Sequence, residues 1–313
     1  MTDSMTEPVA PAAPDEAGVA PQALTLDDTT LRSVFPAAPK DTSVPRDVRS
    51  LFKVRMRGIG ADKHRSWVIG SIVASVVALI LAFVVPALGV LVIVPPIVWG
   101  IIAIVQYGRA KGAFFARYAE ARGLQLIEDA HFPGNVPLLH LGDKRHTERQ
   151  FHGDIGGYQG ALGMYTYTVI THERDSEGNM SKKETDHDFT VLRFELPPAV
   201  AQRFVGVYLK GSSWSFGALG DKLAHDRAVK LESVDFHKRY SLRVVDSQDD
   251  IALYELFSPT FIEALTHDIH VYWEQVDGDL VFLSNGHESE AADLDSFCLR
   301  GTTVLRRYLE EHR

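Results

Sequence analysis

One feature constrains this chain more than any other. From Ser66 to Gly108 it runs 43 residues without an Asp, Glu, Lys or Arg. A helix rises 1.5 Å per residue, so the run would make about 65 Å of helix, roughly twice a ~30 Å hydrocarbon core. One straight span is disfavoured. The stretch "VVPALGVLVIVPP", Val84 to Pro96, holds three prolines and a glycine. A break at Pro95–Pro96 leaves only about a dozen residues before Arg109, too few to span. A break at Pro86–Gly89 leaves 67–85 and 90–107. The pattern therefore predicts a transmembrane hairpin of two helices, 67–85 and 90–107, the second kinked at Pro95 and Pro96.

The flanks set an orientation. Arg46, Arg49, Lys53, Arg55, Arg57, Lys63 and Arg65 precede the run; Arg109, Lys111, Arg117 and Arg122 follow it. The turn between the spans is uncharged. The positive-inside rule then predicts a multi-pass protein of the plasma membrane with both termini cytoplasmic. Trp67 and Tyr107 fall at one interface, as belt aromatics. Arg55, Arg57, Lys63, Arg65, Arg109 and Lys111 are the candidate contacts to the bilayer surface and its anionic lipids, each worth roughly 1 kcal/mol there.

Charge is distributed unevenly around this run. Residues 1–45 carry seven acids, two bases and seven of the fifteen prolines, which reads as a disordered Pro/Ala/Asp-rich tail. "PVAPAAP" has polyproline II spacing. "LTLDDTTLRSVF", 24–35, is too short for a stable isolated helix and would need a partner. Residues 46–66 form a basic juxtamembrane segment. Beyond 108 the chain reads as one cytoplasmic domain, and residues 123–313 hold a net charge of −12. Nucleic acid is excluded as a partner, because phosphate neutralisation needs clustered Lys and Arg. Cys298, the single cysteine, forms no internal disulfide and fits a reducing compartment.

The domain itself reads as α+β, with mostly antiparallel strands and packed helices. "YTYTVIT", 165–171, and "DFTVLRFEL", 188–196, alternate and are rich in β-formers. The polar stretch 172–187 between them reads as a long exposed loop. "FVGVYLK", 204–210, and "RYSLRVV", 239–245, are further strands. "IHVYWEQ" and "DLVFLSN" flank Asp277-Gly278, the favoured type I′ pair, which places Trp273 opposite Phe282. A helix over 247–256 starts at a Ser cap, and a second has Ser258 as cap and Pro259 at the first position. In the last helix Leu294, Cys298, Gly301, Leu305 and Tyr308 share one face, with Gly301 permitting close approach. "LGDK" occurs at 141–144 and at 219–222, too short a match to establish a duplication.

No motif specifies a reaction. "DIGGYQGALG", 154–163, lacks the Gly-Lys-Ser/Thr ending of a phosphate loop and reads as a tight β-turn. In "GSSWSFG" Ser215 stands where a nucleophile elbow needs its second glycine. His131, His140, His146 and His152 lack the spacing of a zinc site. No catalytic, cofactor or metal residue is assigned.

The stretch 231–265 resembles a bacterial membrane-anchored family catalogued only as a domain of unknown function, the 3137 type. The matching positions are Leu231, Glu232, Phe236, Tyr240, Asp246, Tyr254, Leu256, Pro259, Glu263 and Leu265. The following hairpin and paired upstream helices are similar too. The resemblance implies no activity, cofactor or catalytic residue. The sequence thus predicts a membrane-held binding or interaction domain with a protein partner, for which a homo-oligomer is compatible. The alternatives are a hydrolase using Asp and His residues around 140–154, and a subunit of a transport assembly.

Overall fold

Runs of β-forming residues joined by short reversals can only pair antiparallel, since parallel pairing needs a long crossover. The structure, a computed structural model, describes residues 26–41, 43–58, 86–128, 130–174, 180–212 and 226–310. The chain divides into two units. One comprises residues up to Ala37, Gly123–Glu288 and Ala292–Arg313; the other comprises Ala38–Arg122 with Ser289–Ala291.

Among the described residues the larger unit is built on nine strands: β1 Gln125–Glu128, β2 Lys144–Ile155, β3 Tyr158–Arg174, β4 Met180–Glu195, β5 Gly206–Gly211, β6 Asp226–Val229, β7 Tyr240–Val245, β8 Tyr272–Val276 and β9 Asp279–Asn285. They form one sheet in the order β1-β2-β3-β4-β9-β8-β5-β7-β6, antiparallel at every pairing. Both edge strands have only four residues, which limits the unpaired edge open to other chains. The β8–β9 reversal turns on Asp277 (φ 50°) and Gly278 (φ 90°), and Trp273 faces Phe282 as the Asp-Gly signal implied. Gly156 (φ 71°) and Gly157 (φ 88°) turn β2 into β3.

The polar stretch 172–187 differs from expectation. β3 continues to Arg174 and β4 begins at Met180, so most of it is strand. Cross-strand polar pairs replace burial there. Thr166 and Thr168 donate to Asp188 and Asp186, each at 2.7 Å, and Lys144 reaches Glu184 at 2.8 Å.

Alternation gives the sheet two different faces. One carries Leu192, Phe194, Val207, Leu209, Trp273 and Phe282, all buried. Helices cover it: α4 Pro198–Arg203, α5 Val234–Arg239, α6 Asp250–Leu256, α7 Pro259–His267 and α8 Ala291–Glu310, numbered after α1–α3 below. Leu294, Cys298, Leu305 and Tyr308 of α8 are buried, and a Cβ at Gly301 would lie 2.6 Å from Leu192. The α6 cap is Asp249, not the serine expected; Ser258 and Pro259 start α7 as read. Helix α1, Asp28–Val34, is capped by Asp27 and buries Leu31 and Val34. Its needed contact comes from the same unit: the Gly156 N–H donates to the Val34 carbonyl at 2.6 Å.

The opposite face is polar as well as apolar, and residues 130–143 strap across it. Phe132, Val136, Leu138, Leu139 and Leu141 of the strap pack with Tyr165, Val191, Tyr208, Val281 and Leu283. Beneath it lies an ion pair, Lys210 Nζ to Glu274 Oε1 at 2.5 Å, with side chains 1% and 0% exposed. The other Glu274 oxygen accepts the Leu138 N–H at 2.8 Å.

The smaller unit contains α2, Val48–Gly58, and α3, Pro86–Arg122, joined by an edge-to-face contact of Phe52 with Tyr107 at 5.7 Å. Asp47 bridges Glu290 in antiparallel fashion. Here the expected transmembrane hairpin is overturned. Pro86–Gly89 form the first turn of a helix that runs on to Arg122. Proline lacks only an N–H that a first helical turn does not use, so it can start a helix as well as break one. The helix continues past Tyr107 through Arg109, Lys111, Arg117, Glu120 and Arg122, as the pattern after the uncharged run implies. Among the described residues no helix is long and apolar enough to cross a membrane. The first expected span, 67–85, lies outside the described residues. The placement as a multi-pass plasma-membrane protein is withdrawn with the hairpin. Several apolar side chains of α3, including Ile97, Ile101 and Ile104, are exposed.

The buried ion pair yields a stability prediction. Lys210→Met strands a buried carboxylate and should cost about 3–5 kcal/mol in urea unfolding. Adding Glu274→Gln keeps an acceptor for Leu138 and should recover most of that loss. A double variant as unstable as the single one would show that the pair is not the controlling interaction.

Candidate functional site

Two regions of the larger unit concentrate polar chemistry. The first is the strapped face. Arg193 bonds Asp279, whose other oxygen accepts the Asn135 N–H at 3.2 Å. The Tyr165 hydroxyl donates to the Leu138 carbonyl at 3.4 Å. His152 bonds Gln150 at 2.7 Å; burial, and then the charge of Arg193, holds its pKa below the ordinary imidazole value. Gly163 leaves room in β3 for the strap: a Cβ there would lie 2.6 Å from the Arg149 carbonyl and 2.8 Å from the Phe132 ring. These groups are spent on closing the strap.

The second region is an open groove of about 680 Å³ between α5, α6 and α7. Three short helices with side-chain caps build it. Ser233 accepts the Phe236 N–H at 3.2 Å, Asp249 accepts that of Ala252 at 3.0 Å, and Ser258 accepts that of Phe261 at 3.4 Å. Such caps stabilise helices too short to persist alone. Aromatic contacts tie the helices to the sheet. Phe257 lies 6.0 Å from Phe236 and stacks 6.1 Å from Trp273, whose indole N–H donates to the Tyr308 hydroxyl at 2.9 Å. Leu231 and Phe257 form buried apolar lining, with Ile262 beside them. Tyr254 stands at the groove 57% exposed. Glu232, Asp235 and Glu263 supply carboxylates, against Lys230 and His267. Asp235 is paired with Lys238 at 2.7 Å, which holds its pKa below the usual range. Glu232 and Glu263 have no ion-pair partner among the described residues.

The residues singled out from the sequence fall, where described, on separate elements. Arg55 and Arg57 occupy the last turn of α2, Arg109 and Lys111 lie within α3, and Lys63 and Arg65 fall outside the described residues. His146 and His152 pair with Thr166 and Ala161, and so point to opposite faces of the sheet. His140 contacts the Gly134 carbonyl at 3.1 Å, and Asp154 accepts the Gly157 N–H in the β-turn at 2.8 Å. No group of three or more His, Cys, Asp or Glu among the described residues could hold a metal ion. Most of "GSSWSFG" lies outside the described residues. Sequence reasoning read Tyr254, Glu232 and Glu263 only as positions in a family resemblance. Ser258 and Pro259 were the local signal for one of the short helices that border the groove.

No family model, no curated protein and no solved structure matches this chain.

Buried phenols on both faces of the sheet set an alkaline limit. Burial pushes the Tyr165 phenol up to about 12, and those of Tyr208, Tyr240 and Tyr308 upward as well. The fold prefers the neutral phenol, so this contribution is intact below pH ~10 and is lost as pH rises from ~10 towards ~12. For Tyr165 the loss should be on the order of 2 kcal/mol. Unfolding free energy of Tyr165→Phe should fall less steeply across that window than that of the parent; identical slopes would show that the phenol ionises freely.

Proposed function

We propose that residues 123–310 act as a binding domain whose site is the groove of α5, α6 and α7, and that its ligand is a basic peptide segment with an apolar anchor. The observation that carries this reading is an exposed Tyr254 beside two carboxylates, Glu232 and Glu263, that lack ion-pair partners among the described residues. An aromatic ring set beside apolar lining offers an anchor pocket, and unpaired rim acids favour Lys or Arg on either side of it. The −12 charge of residues 123–313 would steer a cationic partner towards the domain. Leu231, Glu232, Tyr254, Pro259 and Glu263, five of the ten positions on which the resemblance rests, line this groove. A hydrolase would need Asp and His side chains of 140–154 to meet, and His146 and His152 lie on opposite faces of the sheet.

Fluorescence anisotropy of a labelled Lys-Lys-Leu-Lys-Lys peptide with the full chain tests the proposal. Tyr254→Ala should weaken binding about tenfold, as for a modest hot spot. Glu232→Gln and Glu263→Gln should each cost less, roughly 0.2–1 kcal/mol, and raised salt should mimic them. Equal affinity for the analogue with Gln in place of Lys, or an unaffected Tyr254→Ala, would remove the groove as the site.

A further inference from the structure

The outermost strands of the sheet are short, but β4 leaves a longer edge open. β9 pairs with β4 only from Phe189 to Glu195, whereas β3 accompanies β4 down to Met180. Met180–Asp188 therefore has a strand neighbour on one side only among the described residues. Every residue of this stretch except His187 is exposed.

Along an antiparallel strand the backbone groups turn alternately to one neighbour and the other. The Asp188 carbonyl accepts the Gly286 N–H at 2.8 Å, on the β9 side. Lys182, Glu184 and Asp186 share its parity, so their N–H and C=O groups point away from β3. No backbone group meets them on that side among the described residues. The outer edge of β3 is treated differently. Asp143 donates its N–H to the Thr168 carbonyl at 2.8 Å, and its carboxylate accepts the Ile170 N–H at 2.7 Å.

An open edge is a template for another strand, and its charges decide which strand fits. Lys182 stands two residues before Glu184 and Asp186 two after it, all on one face of the β3–β4 ribbon. Read antiparallel about Glu184, the strand is complementary to itself: Lys182 of each copy falls opposite Asp186 of the other. Glu184 then meets its own counterpart at the two-fold axis. Each of those carboxylates is held by Lys144 at 2.8 Å and by Lys182 at 2.6 Å within its own chain, which offsets their repulsion. Centring the pairing on Thr185 instead would set Glu184 against Asp186. Lysine on an edge deters most strands; the acids that follow it make this edge a match for a second copy.

We propose that two copies of this chain pair through the open edge of β4, antiparallel and centred on Glu184, joining their sheets. The outward N–H and C=O groups of Lys182, Glu184 and Asp186 are then answered by the same groups of the other copy. A two-fold contact of this kind closes on itself and does not propagate. It stands on other residues than the peptide groove and does not depend on it.

Sedimentation equilibrium of the full chain, with disulfide trapping, tests the pairing. A reversible dimer is expected. Lys182→Glu sets like charges opposite each other twice and should weaken the dimer about tenfold, as should Asp186→Lys. The double reversal Lys182→Glu with Asp186→Lys should restore most of the loss. Glu184→Pro removes an N–H that faces away from β3, so the ladder with β3 survives while dimerisation is lost. The charge variants carry the test if the proline variant fails to fold. Cys298 is buried, so Glu184→Cys gives each chain one accessible thiol. In the pairing the two Cα atoms stand about 5.5 Å apart, within disulfide reach, and mild oxidation should link the copies. A chain that stays monomeric at all accessible concentrations, or no link in Glu184→Cys, would overturn the proposal. So would self-association that neither Lys182→Glu nor Glu184→Pro weakens, the result expected of contact through the exposed side chains of α3.

Discussion

Glu274 is the residue on which the polar side of the sheet depends. One of its oxygens meets Lys210 at 2.5 Å and the other accepts the Leu138 N–H at 2.8 Å. A buried carboxylate costs several kcal/mol unless both its charge and its lone pairs are answered. The pair answers the charge and the strap answers a lone pair, so strand register and strap closure support one another. Tyr208 faces Glu274 across β5 and β8, which puts Lys210 on the diagonal. A slip of one residue would turn both charges onto the aromatic side, where Trp273 and Phe282 pack. The ion pair thus specifies register even where apolar residues of similar volume could match its stability.

The other side of the sheet follows a different logic. Its contacts are aromatic and aliphatic, and they hold helices as short as six residues. Tyr308 of α8 links that layer to the strands through Trp273, 2.9 Å away. Helices this short expose their outer faces and ends, and it is there that unspent chemistry remains. Tyr254, Glu232 and Glu263 line the groove there. The strapped face has more ionisable groups, but they are turned inward and bonded to one another. Availability, more than the number of charged residues, separates a binding surface from a structural network.

Much of the architecture was legible in the sequence because it rests on local rules. Asp277-Gly278 fixed the β8–β9 turn, since only glycine-like residues adopt positive φ without strain. Ser258 and Pro259 marked a helix start, and the spacing of Leu294, Cys298, Leu305 and Tyr308 marked the buried side of α8. The hairpin of the uncharged run was misread, because proline permits both a helix start and a break, and sequence alone does not choose between them. The loop at 172–187 was misread because polar cross-strand pairs can hold strands that have no buried side.

What the sequence determined by itself was the set of elements whose conformation is decided within a few residues: turns, caps, alternation and the helical stripe of α8. What only the tertiary structure decided was the company each charged residue keeps. Lys210 and Glu274 are 64 positions apart, and Arg239 and His270 are 31 apart. Coulomb energy and desolvation depend on distance and burial, and neither is defined until the strands have found their order. The same carboxylate reads identically in a sequence whether it ends, like Glu274, beneath a strap or, like Glu263, at the rim of a groove.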